Sequence, residues 1–367
     1  MNDTLIGLAE RVRQAVAAKA LLRIRGGGTK VSMAGVISDA ATLDMRAYAG
    51  IVDYAPSELV ITARAGTPLV ELERVLAERG QCLPFEPPRF ADADGRLCGT
   101  LGGMVASGLA GPARAAVGGV RDYVLGVLLL NGRGDLMQFG GQVMKNVAGY
   151  DVSRLVAGSW GALGAICEVS LKVLPMPVST LTLRFDMRQG EALEHLHAWA
   201  GQPLPLNASV WWRETLAVRL RGANAAVAAA LRRLGGELIE PGDALPFWSG
   251  LRHQDDEFFS KAHAAVEVGG TLWRLSLPQT AAPLALSGEQ LIEWGGAQRW
   301  LCSAIPAAQV RNAVAQAGGH ATIFRSNDKS AGAFAPLKSP LDRIHRELKK
   351  SFDPAGVFNP GRLYPGL

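Results

Sequence analysis

Apolar positions recur at helical spacing from the start of the chain. Leu5, Leu8, Val12, Ala15 and Val16 within residues 4–20 predict an opening amphipathic helix. A short strand-like run follows and ends at Arg25, where it opens into three consecutive glycines, Gly26, Gly27 and Gly28, with Thr29 and Lys30 behind them. SELVITARAG (57–66) reads as a strand. TPLVELERVLAERG (67–80) reads as a helix with Thr67 as N-cap, Pro68 at the first helical position and Gly80 at the C-terminal end. VLGVLLLNG (124–132) and LMQFGG (136–141) predict a strand pair joined by an Asn-Gly-Arg-Gly turn, and AICEVSLKVL (165–174) one strand more. Pro-Met-Pro at 175–177 is the sharpest boundary in the chain. Beyond it, strands such as TLTLRF (180–185) and TLWRLSLP (271–278) mix with helices such as NAAVAAALRRL (224–234). From 336 a last helix leads into the tail GVFNPGRLYPGL.

Composition sharpens this picture in one respect. The chain has 367 residues, of which 48% are hydrophobic and 19% charged, so it is a compact globular protein long enough for two domains. Its 43 glycines are about 12% of the chain against a usual ~7%, and 17 of them fall within 95–164 with no collagen-like period. The net charge of +5 is spread along the chain, and no basic block supports nucleic-acid binding. Cys82, Cys98, Cys167 and Cys302 lie far apart without a C-x-x-C pair, which speaks against an iron–sulfur cluster or zinc ribbon in this chain and suits a reducing compartment. The N-terminus lacks the apolar run of a secretory signal, and no stretch approaches the ~18 apolar residues of a membrane span. A cytoplasmic protein is expected, or one peripheral at the inner face of the cell membrane through a partner.

The glycine-rich stretches point to chemistry. Consecutive free backbone N–H groups form a concave anion site, and glycine lets oxygen atoms come close. With Arg25, Thr29 and Lys30 beside it, the first loop suits a phosphate or pyrophosphate; a tight surface turn is the alternative. No G-x-G-x-x-G follows a strand and no P-loop pattern occurs, so neither common nucleotide fingerprint applies. A second run, GTLGGMVASGLAGP (99–112), and a third, KNVAGYDVSRLVAGSWGALGAICEV (145–169), suggest three segments converging on one long ligand.

Taken in order, these three motifs, with VRDYVLG (120–126), resemble the FAD-binding domain of the vanillyl-alcohol oxidase class, the PCMH-type flavoproteins. Further stretches, among them IEWGGAQRW and DPAGVFNPGRLYPGL, resemble the FAD-binding E subunits of bacterial glycolate oxidases along the whole chain. The resemblance implies an α+β fold: a two-subdomain PCMH-type FAD-binding domain (1–177), a mixed α/β cap domain (178–335), and a C-terminal helix and tail (336–367) returning to the flavin domain. It implies a subunit taking part in oxidation of glycolate to glyoxylate, beside a catalytic flavoprotein subunit and an iron–sulfur subunit that receives the electrons. Residue by residue, Arg25, Gly26, Gly27, Gly28, Thr29 and Lys30 would wrap the pyrophosphate. Gly99, Thr100, Gly102, Gly103, Ser107 and Gly108 would line the ribityl and isoalloxazine side. Asn146, Gly149, Tyr150 and Asp151, with Gly158, Gly161, Gly164 and Ile166, would hold the adenosine half and the flavin edge, and Pro84 would close over adenine or ribose. Asn359, Pro360, Gly361 and Arg362 match a tail signature brought back near the flavin. For Tyr150 and Asp151 a self-stabilising turn is the alternative, and for Arg362 a surface charge.

The first glycine loop has no histidine and the second no well-placed cysteine to tether the cofactor, so noncovalent FAD is expected. A substrate constellation is harder to find. His195, His197, His253, His263, His320 and His345 are dispersed, and His195 and His197 sit about 200° apart on a helix, too far round to share a metal, so no metal is expected. His320 is the first candidate for a base, with Arg274 and Arg325 as candidates for positive charge. Two other readings stay open: a self-sufficient FAD oxidoreductase of another hydroxy acid or sugar-like alcohol, and a noncatalytic assembly subunit. A nicotinamide-dependent reductase is the least favoured, because the tail and second domain resemble the glycolate oxidase subunit.

Overall fold

The run Val124–Leu130 is buried along almost its whole length, and such a run needs cover on both faces. It lies inside a five-stranded antiparallel sheet whose order is Ile51–Ala55, Val60–Arg64, Ala165–Lys172, Val124–Leu130, Leu136–Gly140. The computed structural model describes residues 3–35, 40–92, 94–142 and 150–367. On one face of this sheet the opening helix Asp3–Ala18 sets Leu5, Leu8 and Val12 against Leu130, Ala165 and Cys167. On the other, helices Leu69–Ala77 and Leu101–Ser107 bury Leu72, Leu76, Leu101 and Val105 against Ile61, Val127 and Val169.

Two short strands, Leu22–Arg25 and Ala41–Asp44, pair in parallel beside this unit. A parallel pair needs a connection that crosses back over the sheet, and the first glycine loop lies in that connection. The tail completes the arrangement. Leu22 N–H donates to Val357 O at 2.7 Å, Asn359 N–H donates to Leu22 O at 3.0 Å, and Phe358 bridges Leu22 in parallel.

From Ser179 onward the chain builds a second, eight-stranded antiparallel sheet, ordered Glu237–Ile239, Ser179–Asp186, Thr215–Gly222, Leu206–Trp212, Glu289–Glu293, Gln298–Ser303, Thr271–Ser276, His320–Ser326. Helices Gln189–Ala200, Asn224–Leu234 and Ala307–Gln316 cover its outer face. Its inner face packs on helices Pro241–His253 and Glu257–Glu267 and on Met33, Phe90 and Leu109 of the first half. Among the described residues no helix is long and apolar enough to cross a membrane.

Element types follow the sequence pattern, with one cap corrected. The helix expected over 67–80 runs Leu69–Ala77 and has Pro68, not Thr67, at its N-cap. Thr67 Oγ1 instead accepts from Gly50 N–H at 2.9 Å and donates to Gly50 O at 3.2 Å, clamping the turn before the five-stranded sheet. A local cap has lost to a pairing that spans the fold.

Candidate functional site

The three glycine-rich segments meet. Residues 25–30 leave the small parallel pair, Leu101–Ser107 starts a helix beside it, and 158–166 leads into Ala165–Lys172. Where the first two touch there is no room for side chains: a Cβ on Gly27 would overlap the carbonyl of Cys98, and one on Gly26 would overlap Thr100 Oγ1. The glycines are therefore needed for contact between protein segments as well as for a ligand. Gly28 adopts the left-handed conformation, φ +73°, that turns the loop back.

Between these segments lies an open cleft of about 1370 Å³, counting its mouth. Arg25, Gly26, Gly27, Gly28, Thr29 and Lys30 form one wall, Thr100, Gly102, Gly103 and Ser107 a second, and Gly161, Gly164 and Ile166 a third, with Asn359 and Arg362 closing one side. Thr100 caps the helix behind the second wall, its Oγ1 accepting from Gly103 N–H at 3.3 Å.

Other expected residues sit elsewhere. Gly99 accepts the N–H of Leu69 through its carbonyl. Gly108 ends the helix in the left-handed region and lies against Gly158, close enough that a Cβ on Gly108 would be 3.1 Å from the Gly158 backbone. Pro84 is buried in a turn away from the cleft. Tyr150 is almost fully exposed, while Asp151 caps the short helix Val152–Leu155, accepting from Arg154 N–H at 3.2 Å and from Ser153 Oγ at 2.7 Å. Asn146 and Gly149 lie outside the described residues. His320, Arg274 and Arg325 are on the large sheet and do not line the cleft.

The tail is more than a surface extension. Asn359 Oδ1 accepts from Ile24 N–H at 2.9 Å and its Nδ2 donates to Trp160 O at 2.7 Å, joining the first and third segments. Arg362 donates to the carbonyls of Val31, Gly35 and Lys30 at 3.1, 2.6 and 2.7 Å, and its guanidinium lies 5.2 Å from the centre of the Trp160 ring. Burial, helped by the charge of Arg23, lowers Arg362 to about 10.

The sequence reading missed Arg23, Ile24, Val31, Met45, Ala65, Ala106 and Trp160 in the lining. Most are apolar and carry no local mark of a site. Trp160 had one: it stands inside the third glycine run, where an aromatic residue interrupts the small ones.

The lining has two characters. Lys30 faces the cleft with no acid paired to it among the described residues, and burial lowers it to about 8 although Cys98 opposes this. Arg23 Nε is buried without a hydrogen-bond partner. Alongside these cations run Ile24, Met45, Ala65, Ala106, Trp160 and Ile166. A cationic wall rich in amides beside an apolar wall fits a long ligand with an anionic middle and aromatic ends. FAD is such a molecule.

Comparison with known proteins bears on the same region and extends beyond it. Residues 7–140 match a family model described as an FAD binding domain. Over 360 residues the chain is 48% identical to glycolate oxidase subunit GlcE of Escherichia coli (strain K12), covering 98% of this chain and 97% of that protein. The chain belongs to the GlcE family. This is a family of FAD-linked oxidoreductases, and FAD is its cofactor. Beyond GlcE proteins, glycolate oxidase subunit GlcD of Bacillus subtilis (strain 168) is 32% identical over 133 residues, 36% of this chain and 27% of that one. D-lactate dehydrogenase of Anaerostipes hadrus matches to the same degree over 36% of this chain and 26% of its own. Among solved structures, alkyldihydroxyacetonephosphate synthase shares the fold, with a TM-score of 0.64 over 95% of this chain and 74% of that chain at 15% identity.

Proposed function

We propose that this chain is the FAD-binding subunit of a glycolate oxidase complex and takes part in oxidising glycolate to glyoxylate. The observation that carries the reading is the near full-length identity with GlcE, which reaches the large sheet and the tail as well as the FAD binding region. The partners would be a catalytic flavoprotein subunit and an iron–sulfur subunit that takes the electrons onward. The complex would work in the cytoplasm or at the inner face of the cell membrane.

The cofactor would be held without a covalent bond. The loop from Arg25 to Lys30 would offer its amides and charges to the pyrophosphate, while Thr100, Gly102, Gly103 and Ser107 would face the ribityl chain and ring. FAD, when bound, supplies the two-electron acceptor for the carbon that bears the hydroxyl. The chain's own residues bind and orient. Trp160, Met45 and Ile166 exclude water from one wall, and Arg362 and Asn359 hold the loops in register.

The test begins with an absorbance spectrum of the purified chain. A flavin spectrum at one equivalent, released into solution on acid or heat denaturation, is expected. Combining the chain with its partner subunits should then give glycolate-dependent dye reduction that is lost when this chain is left out. A chain free of flavin, or an assembly equally active without it, would overturn the proposal.

A further inference from the structure

Behind the first glycine loop, residues 30–35 run from the cleft to the large sheet without forming a strand or helix of their own. The segment starts at Lys30 in the cleft wall, and three residues on Met33 is buried in the inner core of the large sheet with Phe90, Leu109 and Trp300. Ala34 then turns the backbone through the left-handed region, φ +60°. A residue with a Cβ keeps that conformation only where its surroundings impose it.

Two cations from distant parts of the chain impose it. Arg362, from the tail, takes the carbonyls of Lys30, Val31 and Gly35. Lys329, from the large-sheet half, takes those between them, its Nζ donating to Ala34 O at 2.9 Å and to Ser32 O. Only the Met33 carbonyl of this segment is bound by neither cation, so the backbone is strapped down along nearly its whole length. Lys329 is firmly placed for this. It follows strand His320–Ser326 and opens a turn in which Gly332 N–H donates to Lys329 O at 2.8 Å, while Arg311 holds the carbonyls of Ala331 and Gly332 at 2.6 and 2.5 Å. Burial, helped by the charges of Arg362 and Arg325, lowers Lys329 to about 8. Cations crowded behind a cleft wall in this way are eased by negative charge within the cleft.

We propose that Lys329 is a positioning residue for the flavin: by strapping Ser32 and Ala34 to the large-sheet half, it keeps the wall at Lys30 closed on the cofactor. The inference rests on the functional reading above and deepens it, because it makes the FAD site a product of both halves of the chain. Met33 anchors the segment by packing, and Lys329 fixes the backbone on either side of it. Without the ammonium, the carbonyls of Ser32 and Ala34 lose their partner and the strained turn at Ala34 is free to relax.

The test compares the FAD-loaded parent with Lys329→Met, following flavin release by its fluorescence on dilution, FAD affinity by titration of the flavin-free chain, and hydrogen exchange of amides in 30–35. Lys329→Met should weaken FAD about tenfold, the worth of one hydrogen bond to a charged group, mainly through faster release. Exchange in 30–35 should quicken even under saturating FAD, while the flavin-free chain melts where the parent does. Lys329→Arg should recover part of the affinity. Lys338→Met, which removes the same charge from an exposed site that makes no contact with the strap, should behave as the parent. Parent-like release and affinity in Lys329→Met would overturn the proposal, as would an equal loss in Lys338→Met, or a fall in the melting temperature of the flavin-free chain that accounts for the loss. A parent that holds flavin while Lys329→Met holds it equally well removes only the strap and leaves the functional reading standing, whereas absence of flavin from the parent removes that reading first.

Discussion

The cleft and the inner face of the large sheet are built on opposite plans. The cleft is made of backbone: glycine segments touch with no side chains between them, and Arg362 is bound to three carbonyls without an acid. The sheet face is made of side chains on a regular ladder, and it positions Arg219, Arg274 and Arg325 by strand alternation and one bulge. The first plan depends on segments far apart in the sequence meeting within a few tenths of an ångström. The second tolerates change in any one side chain provided the ladder holds. Substitutions should therefore act at a distance in the cleft and locally on the sheet.

The strongest way to break the comparison is at the tail. Lys349 is buried and donates to Asp353 Oδ2 at 2.6 Å, to Ala162 O at 2.8 Å and to Phe358 O at 2.7 Å, so one ammonium joins the last helix, the tail and the third glycine segment. Lys349→Met leaves Asp353 with its charge unpaired in a buried site, and removing one partner of such a pair costs about 3–5 kcal/mol. Chemical denaturation should show this loss, and flavin should dissociate at lower denaturant than the large sheet unfolds. Loss of both in a single step would mean that the cleft and the large sheet unfold as one unit.

A smaller effect is expected at the loop itself. Gly27→Ala forces a methyl group into the Cys98 carbonyl, a backbone atom that cannot rotate away, and overpacking of this kind costs about 1–3 kcal/mol. Flavin content should fall by more than stability does, because the displaced segments are the cleft walls. Gly7→Ala is the matched control: it lies in the opening helix with open space around it, and should be neutral or stabilising by about 0.5–1 kcal/mol. Unchanged flavin content in Gly27→Ala would show that the close approach is slack.

These two residues also show what could be read before the fold was known. A backbone-built site leaves a compositional trace, since only glycine tolerates the contact; each glycine run supplies part of a wall, through Gly26–Gly28, Gly102 and Gly103, and Gly161 and Gly164, whereas Gly99, Gly108 and Gly158 do not line the cleft. The second approach, of Gly27 to Cys98, was not legible, because nothing local says which atom comes near. Thr67 misled for the same reason: its local context favours a cap, and its partner Gly50 lies 17 residues away. On the sheet, alternation assigned strands, but the face carrying Arg325 depended on a bulge that no sequence pattern marked. Met45 and Ala65 entered the cleft unannounced, as apolar residues that look the same in a core and in a ligand wall.

The sheet face makes a distinct prediction about pH. Glu293 accepts from Trp300 Nε1 at 2.7 Å and Gln298 Nε2 at 3.0 Å, but burial, with the charges of Asp256 and Glu86, outweighs these bonds and lifts it to about 7. An acid whose folded pKa is raised holds a proton that the unfolded chain has already released. Stability from this group is thus present below the unfolded value and falls as pH rises toward 7, with a slope of at most about 1.4 kcal/mol per pH unit. Glu293→Gln keeps an acceptor oxygen and has no proton to lose, so it should flatten stability between about pH 5 and 7 and leave flavin content unchanged. An unchanged slope would remove Glu293 as its source.

The smallest expected effect lies where the two glycine segments meet. Thr100 Oγ1 caps the helix Leu101–Ser107 through a bond of 3.3 Å, long enough that Thr100→Ala should cost about 0.5–1 kcal/mol, the low end for an N-cap. The same oxygen is the atom a Cβ on Gly26 would strike first. Gly26→Ala should therefore be costlier in the parent than in the Thr100→Ala background, and the double-mutant cycle should show a coupling of about 0.5–3 kcal/mol, the range for residues in contact. The remaining cost in the double variant reports the Thr100 Cβ, 3.4 Å from the added methyl, which stays in place. A cycle with no coupling would mean that the loop can move away from the helix, and that contact between the segments does not by itself require glycine at position 26.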